Sequence, residues 1–387
     1  MRIVIIGEFS SFAKNLSEGF KALGHECFVF SWADGFKGIN QETQESYAIA
    51  LRKAGDKGFL AHIKNALFSY RSFLQLYNYV DKMSNREKWD VALIINPVFI
   101  KQKERFWNAC FTEKMIKSLL LNTEQIYFSA CGGDVPYIDY WKNHPWKNSH
   151  IVEVDSNRYY TESQISHFIH CMSFIQKAIP VMYGYAQAWR NSEYTRSCKI
   201  LPTIPLPINT SKYEVNNTIS GKIVVFHGII RPEQKGTPLI VKAMDRLQKN
   251  FPDKVECVAK GGMSLNEYLP LLNRTNILID QAYADSVGMN GLYALAMGKV
   301  VLGGNAPENQ KEFNEYDCPI VNIEPDVEDI YCKLEDLILN SDKIGVLSKK
   351  SREYVERVHD AKVIAKKYIS VFEGELLIIN THNNLLV

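Results

Sequence analysis

Two series of short, continuous apolar runs constrain the fold of this 387-residue chain more than any other feature. The first series lies at 3–6, 27–31, 91–96, 125–130 and 179–182, and the second at 223–226, 255–259, 277–279, 300–302 and 320–321. An apolar run without polar alternation is typical of a strand that is buried on both faces. Segments with helical spacing, such as 13–23 and 237–249, lie between the runs. Strands that alternate with helices predict an α/β fold with parallel sheets.

A polar, weakly patterned segment at 209–221 separates the two series and has the composition of a linker. The chain length suits two or three domains of about 100–200 residues each. The sequence therefore predicts two Rossmann-like domains that face each other across a cleft. We assign 1–208 to the N-terminal domain, 222–342 to the C-terminal domain, and 343–387 to helices that pack back toward the N-terminal domain.

Charge and hydropathy exclude several classes of protein. The formal net charge is +2, which is too balanced for a dedicated nucleic-acid binder, so no nucleic-acid partner is expected. The longest clear apolar run, 91–100, is about half of what crosses a bilayer, and the N-terminal apolar stretch is too short for a signal peptide. The eight cysteines are scattered without a C-x-x-C pair. They are typical of reduced thiols in a cytoplasmic protein, and no metal site is expected.

Two common phosphate-binding motifs are absent. The turn after the first run reads Gly7-Glu8-Phe9-Ser10-Ser11 rather than G-x-G-x-x-G, so a nicotinamide-binding domain is disfavoured. Gly298-Lys299 follows a predicted helix instead of opening one, so it is not part of a P-loop.

Two loops of the second series contain the residue types that bind a diphosphate. Arg231 and Lys235 lie four residues apart after a predicted strand, where both can point at one anion. Gly288 opens a predicted helix that begins near Met289, and the free amides and positive dipole end of a helix attract an anion. Asp285 lies just before this helix, where a carboxylate can hold sugar hydroxyls. The alternative interpretation is that Arg231 and Lys235 are solvated loop charges.

These loops resemble the donor-binding domain of the family 4 glycosyltransferases, which have the GT-B fold. Segment 226–237 is similar to the family's glycine, Arg and Lys-Gly loop, and segment 280–301 to its E-x7-E region with the following small-residue helix and strand. Segments 7–26, 89–97 and 130–134 look like strand ends and loops of the N-terminal domain. The resemblance therefore extends over nearly the whole chain, most strongly in the second half.

The resemblance implies a glycosyltransferase that moves a sugar from a nucleoside-diphosphate donor to a glycan or lipid-linked acceptor in cell-surface polysaccharide synthesis. It also implies a retaining reaction that uses no divalent metal and no cofactor besides the nucleotide-sugar co-substrate. The domain 1–208 would bind the acceptor and the domain 222–342 the donor. The implied catalytic residues are Arg231, Lys235 and Asp285, and the other implied donor-binding residues are Gly228, Gly288, Met289, Asn290 and Tyr293.

The sequence departs from the family pattern at the E-x7-E pair. Counting back from Gly298-Lys299, the first Glu of the family falls on Asp285 and the second on Tyr293. A phenol cannot accept hydrogen bonds from both ribose hydroxyls as a carboxylate does. Either the nucleoside is held differently or donor affinity has decayed. Two alternatives therefore stay open: a degenerate GT-B protein that binds nucleotide or glycan without turnover, and a nucleotide-sugar epimerase.

Candidate acceptor-side residues lie at the ends of predicted strands in the first half. Gly7, Ser10 and Ser11 follow the first run, at the edge where α/β sheets bind ligands. Asp134 follows Gly132-Gly133 at the end of another run and is either a base or acceptor clamp, or a helix cap. His227, beside the donor loop, either contacts the ligand or packs in the core.

The segment 51–117 is basic, with 13 Lys and Arg against 6 Asp and Glu, and its charges are interleaved with aliphatic and aromatic residues. An amphipathic, basic helix suits an anionic membrane surface. We therefore expect a cytoplasmic protein that contacts the inner face of the membrane through this segment, with an ordinary core-facing helix as the alternative.

Overall fold

The computed structural model of the protein describes residues 1–31, 46–48, 59–96, 114–115, 117–263 and 265–384. Within these residues the chain forms two parallel β-sheets packed with helices. The α/β architecture predicted from the apolar runs is confirmed.

The first sheet is formed by the N-terminal half of the chain. Its strands are β1 (Arg2–Ile6), β2 (Glu26–Ser31), β3 (Ser46–Ala48), β4 (Trp89–Ile95), β5 (Thr123–Ala130), β6 (Lys177–Pro180) and β7 (Lys199–Ile200). They are ordered β3-β2-β1-β4-β5-β6-β7, and all neighbours are parallel. The helices of this half are α1 (Phe12–Ala22), α2 (Phe59–Ser84), α3 (Val135–Asn143), α4 (Ser149–Tyr159), α5 (Glu162–Met172) and α6 (Tyr183–Asn191), followed by a 3-10 turn at Glu193–Thr195.

The second sheet is formed by the C-terminal half. Its strands are β8 (Ile223–Ile229), β9 (Val255–Gly261), β10 (Ile277–Ile279), β11 (Val300–Gly303) and β12 (Val321–Asn322). They are ordered β12-β11-β10-β8-β9, and all neighbours are parallel. The helices are α7 (Pro232–Lys235), α8 (Thr237–Asn250), α9 (Leu265–Arg274), α10 (Met289–Ala296), α11 (Pro307–Phe313), α12 (Val327–Leu339), α13 (Asp342–Val358) and α14 (Ala361–Asn384).

Both faces of the first sheet are covered, which explains its unbroken apolar runs. Along β1, Ile3 and Ile5 pack into one core cluster, whereas Val4 and Ile6 pack into the cluster on the opposite face. This is the alternation that a pleated strand imposes on its side chains. The cluster that contains Ile3 also includes Phe226 of the second sheet, so the two halves share a continuous apolar core.

The segment 209–221 connects the two halves without a strand and with one 3-10 turn, Thr210–Lys212. It is held from both sides. The Asn209 amide donates to Asn15 Oδ1 (2.9 Å), and the Asn216 amide donates to the Met297 carbonyl oxygen (3.1 Å). The domain boundaries themselves stay predictions.

The last helix, α14, packs against α1 of the first half. The rings of Tyr368 and Phe372 each lie 6.2 Å from the ring of Phe20. Gly19 makes this approach possible, because a Cβ atom there would lie 2.1 Å from the Ala361 carbonyl oxygen. The chain thus returns to the N-terminal half after completing the second sheet.

The basic segment predicted at 51–117 is described only in part, because 51–58, 97–113 and 116 lie outside the described residues. Its central portion forms α2, on which Ile63, Leu67 and Tyr70 are exposed by 39%, 58% and 42%. Among the described residues, no helix combines the length and the apolar character needed to cross a membrane.

Candidate active site

The carboxyl ends of the two sheets lie against each other. The Gln234 side chain, in α7, donates to Asp155 of α4 (2.9 Å), and the ring of Tyr283 lies 4.8 Å from that of His150. The loops that follow β1, β5, β8 and β10 therefore meet in one region. This is the edge at which parallel α/β sheets bind ligands.

The loop after β8 separates the two cations that the sequence placed together. Arg231 is exposed and has a left-handed backbone (φ 55°), which is uncommon for a residue other than glycine. The Lys235 amide donates to the Arg231 carbonyl oxygen (3.2 Å), and this turn directs the Lys235 side chain into the protein. Only Arg231 of the pair is presented to solvent.

Lys235 forms a buried ion pair with Asp280, a residue that the sequence analysis did not single out. The ammonium nitrogen lies 2.7 Å from Asp280 Oδ1, and the Asp280 side chain is fully buried. Burial by itself raises the pKa of Asp280, but the Lys235 charge and the hydrogen bonds to this carboxylate outweigh it and hold the pKa below its usual value. A buried lysine needs such a counter-ion, because an unpaired charge there is costly.

Asp280 also occupies the start of α10. The Gly288 amide donates to Asp280 Oδ2 (2.8 Å), and the Asn290 side-chain amide donates to Oδ1 (3.3 Å). The expectation of a free helix start beside a free Lys235 is therefore wrong for this structure, where a protein carboxylate sits at both. Met289 is buried in the core and is not open to a ligand.

Asp285 joins the two halves. Its Oδ2 accepts a hydrogen bond from the amide of Gly184 (2.8 Å), in the first turn of α6, and the carboxylate is 7% exposed. A Cβ atom on Gly184 would lie 3.1 Å from this oxygen, so a glycine allows the close contact. Burial raises the pKa of Asp285, although the Gly184 hydrogen bond lowers it. The predicted sugar-binding carboxylate is thus engaged by a helix start of the opposite half.

Tyr293 lies in the second turn of α10 and also reaches the N-terminal half. Its side chain is hydrogen-bonded to Ser11, Asn15 and Tyr213, and its ring stands at 72° to that of Tyr213. The structure thus brings together Ser11 and Tyr293, which the sequence had assigned to the acceptor and donor sides. Burial raises the pKa of the Tyr293 phenol.

The turn after β1 has an unusual backbone. Ser10 (φ 53°) and Ser11 (φ 73°) are both left-handed, and Gly7 (φ 108°) approaches β4 so closely that a Cβ atom would lie 2.9 Å from the Ile95 carbonyl oxygen. Glu8, which the sequence analysis passed over, is fully buried and accepts a hydrogen bond from the Lys14 amide (3.0 Å). A carboxylate therefore already satisfies the first turn of α1.

Asp134 and His227 have structural partners. Asp134 caps α3 by accepting from the Tyr137 amide (2.9 Å), and it also accepts from the Trp189 indole (2.9 Å). Burial raises the pKa of Asp134 to about 7. The helix-cap alternative therefore accounts for Asp134. His227 is fully buried, with its two ring nitrogens 2.8 Å from the Ile279 carbonyl oxygen and 2.9 Å from Thr237 Oγ1, so it packs rather than facing a ligand.

Gly228 and Asn290 lie near Tyr268. A Cβ atom on Gly228, in β8, would meet the Tyr268 ring at 3.6 Å. The Tyr268 hydroxyl donates to Asn290 Oδ1, and Asn290 in turn donates to Asp280. The polar residues of the predicted donor side thus form one connected network.

Comparison of the whole fold with solved structures gives full-length matches. Sucrose-phosphate synthase from Thermosynechococcus elongatus matches with a TM-score of 0.62 at 10% identity, over 98% of this chain and 100% of that one. HepE from Anabaena, in complex with UDP and glucose, matches with a TM-score of 0.58 at 10% identity, over 97% and 100%. A glycosyltransferase from Rickettsia africae matches with a TM-score of 0.54 at 12% identity, over 97% and 98%.

The chain has the GT-B fold. No protein-family model matches the sequence, and a comparison with curated protein sequences gives no significant match. The GT-B assignment therefore comes from the arrangement of the two sheets, which the sequence motifs predicted correctly. Among the described residues, no group of three or more His, Cys, Asp or Glu side chains is placed to hold a metal ion.

Proposed function

We propose that this GT-B protein is a glycosyltransferase that moves a sugar from a nucleoside diphosphate to an acceptor. The observation that carries the proposal is the meeting of the two sheet edges, with Arg231 exposed at one of them. A leaving diphosphate develops negative charge, and a fixed guanidinium is suited to stabilise it. HepE, similar in fold, was solved with UDP and with UDP-glucose, which supports a nucleotide-sugar donor.

In this proposal Lys235 is a second cation that Asp280 holds in place. Because the pair is neutral overall, Arg231 contributes the main positive charge of the loop before the donor binds. A bound diphosphate next to the pair would compete with Asp280 for the Lys235 ammonium and for the Gly288 amide, two groups that stabilise anions. Asp280 is therefore a positioning residue for the donor site.

The finer assignments follow from the family resemblance. They are a retaining reaction without a divalent metal, a cytoplasmic location, and a glycan or lipid-linked acceptor in cell-surface polysaccharide synthesis. TarM, similar in fold with a TM-score of 0.52 over 78% of this chain and 59% of that one, was solved with UDP and a glycan, which supports a glycan acceptor. Contact of α2 with an anionic membrane fits its exposed Ile63 and Leu67.

Two alternatives have an observation in their favour. Tyr293 packs on Ser11 and Asn15, as expected for a protein that has lost ribose binding and turnover. MnaA from S. aureus, solved with UDP, matches with a TM-score of 0.50 at 13% identity over 98% of both chains, and the notebook of possible reactions on this fold includes nucleotide-sugar epimerisation.

The proposal is tested by a thermal-shift panel of UDP, GDP, ADP and dTDP with their glucose esters, followed by transfer assays with the stabilising donor. A ligand at 100 times its Kd stabilises a protein by about 2.7 kcal/mol. Arg231→Ala is expected to reduce transfer by about 10²-fold or more. The control is Arg196→Ala, which removes an exposed arginine from the turn before β7.

Three results separate the candidates. Arg231→Ala within a fewfold of wild type contradicts the diphosphate assignment. Tight nucleotide binding without transfer to any glycan supports the degenerate binder. Turnover of the nucleotide sugar in the absence of an acceptor supports the epimerase.

A further inference from the structure

An open pocket of about 350 Å³ lies beside the candidate active site. It is lined by Trp141, His144, Pro145, Trp146, Tyr183 and Glu308. Trp141 ends α3, Tyr183 begins α6, and Glu308 lies in the first turn of α11, so both halves of the chain contribute to the pocket. None of these residues belongs to the donor-binding set.

The aromatic side chains give the pocket a flat wall and a perpendicular one. The rings of Trp141 and Trp146 are stacked, with centroids 5.2 Å apart and an angle of 20° between the planes. The Tyr183 ring stands at 76° to Trp146, at 5.7 Å. Trp141 is buried and its indole N–H donates to the Gly184 carbonyl oxygen (3.0 Å), so the stack has a fixed back. Trp146 is half-buried and offers the accessible indole.

Polar groups lie at the rim of this aromatic surface. Glu308 and His144 are exposed and line the same pocket. A carboxylate accepts hydrogen bonds, and an imidazole can accept or donate one. An apolar wall with a few polar groups around it is the usual composition of a small-molecule site. A pyranose ring matches this chemistry, because its C–H face is apolar and its hydroxyls radiate from the rim.

The position of the pocket identifies which sugar it would hold. Tyr183 forms its wall, while the next residue, Gly184, donates to Asp285. The Tyr183 amide donates to Asn309 Oδ1 (3.1 Å), which fixes Tyr183 against the residue that follows Glu308. The pocket thus lies one residue from the contact that closes the two halves at the candidate active site, on the side away from Arg231 and Lys235 in the chain's polar network.

We propose that this pocket binds a pyranose ring of the acceptor glycan, which stacks on Trp146 and donates a hydroxyl to Glu308. The proposal rests on the proposed glycosyltransferase function and adds the substrate class of its acceptor side. The ring would be a unit of the acceptor chain next to the one that receives the transferred sugar.

The test is a titration of the full-length protein with maltotriose, cellotriose, chitotriose and mannotriose, followed by saturation-transfer NMR and tryptophan fluorescence. At least one trisaccharide is expected to bind with a Kd of about 1 mM. Trp146→Ala should weaken that binding at least about fivefold, because it removes the stacking surface, and Trp146→Phe should retain it within about twofold. The control Tyr316→Ala removes an aromatic ring that is 67% exposed elsewhere and should change nothing.

Three outcomes overturn the proposal: no trisaccharide binds at about 10 mM, binding is the same in Trp146→Ala, or choline binds more tightly than every glycan, which would make the pocket a cation site. UDP is titrated into the same preparations. A normal UDP response with glycan binding that ignores Trp146 overturns the pocket and leaves the glycosyltransferase proposal intact. Glycan binding that depends on Trp146, in a protein without any nucleotide response, does the reverse.

Discussion

Replacing Lys235 by methionine is expected to leave the Asp280 carboxylate buried without its counter-ion. The ion pair is 2.7 Å long, and the two side chains are 11% and 0% exposed. Removing one partner of a buried pair costs about 3–5 kcal/mol. Hydrogen bonds from Gly288 and Asn290 remain on the carboxylate and offset part of this loss. We expect the free energy of unfolding to fall by about 2–4 kcal/mol at pH 8.

The sign of the pH dependence makes this prediction specific. In the wild type, the pKa of Asp280 is below its usual value. The pair therefore contributes stability above the unfolded pKa of about 3.9, and this is lost as the pH falls through the folded pKa. In Lys235→Met, burial is expected to raise the pKa of Asp280. Stability is then present below about pH 3.9 and lost as the pH rises through the raised pKa. The difference between the two proteins should grow from pH 5 to pH 8.

The assay is urea unfolding of both proteins between pH 5 and 8, with Lys260→Met as a control at an exposed lysine. The double variant Lys235→Met/Asp280→Asn should recover much of the stability at pH 8, because it removes the unpaired charge. A loss in Lys235→Met that is the same at pH 5 and pH 8, or that stays below about 0.5 kcal/mol, would refute the ion-pair reasoning.

Three further changes test other parts of the site. Tyr293→Glu is expected to tighten nucleoside diphosphate binding about tenfold, because a carboxylate can accept both ribose hydroxyls; unchanged affinity in a calorimetric titration would mean that Tyr293 only packs. Gly184→Ala places a Cβ atom 3.1 Å from Asp285 Oδ2 and should lower the free energy of unfolding by about 1–2 kcal/mol, which urea unfolding measures; a loss within error would show that this contact yields freely. Leu67→Gln and Arg71→Glu should reduce flotation with anionic vesicles at low salt, because both residues are exposed on α2; equal flotation of wild type and variants would contradict membrane contact through this helix.

The sheets were predictable from the sequence because their signal is local. Each strand of the core is a continuous apolar run, and β1 shows why, since Val4 and Ile5 lie on opposite faces and are both fully buried. The start of α10 at Met289 was likewise marked by Gly288, which precedes it. Parallel order follows once helices separate the strands.

The contacts within the site were not predictable in the same way, because they join residues that are distant in sequence. Asp280 pairs with Lys235 across 45 positions, and Gly184 meets Asp285 across 101. The available signal for Asp280 was its place directly after β10, at the carboxyl end of a strand beside β8. No feature of the sequence near Gly184 indicated that a carboxylate of the other half would approach it.

Hydrogen–deuterium exchange in the presence of UDP, GDP, ADP or dTDP tests most directly whether the facing sheet edges bind a nucleoside diphosphate. The account predicts that at least one of them protects peptides that cover 228–236 and 280–293, and that Arg231→Ala weakens this protection while Arg196→Ala does not. Protection that appears only elsewhere, or no protection by any of the four at about 5 mM, would contradict it.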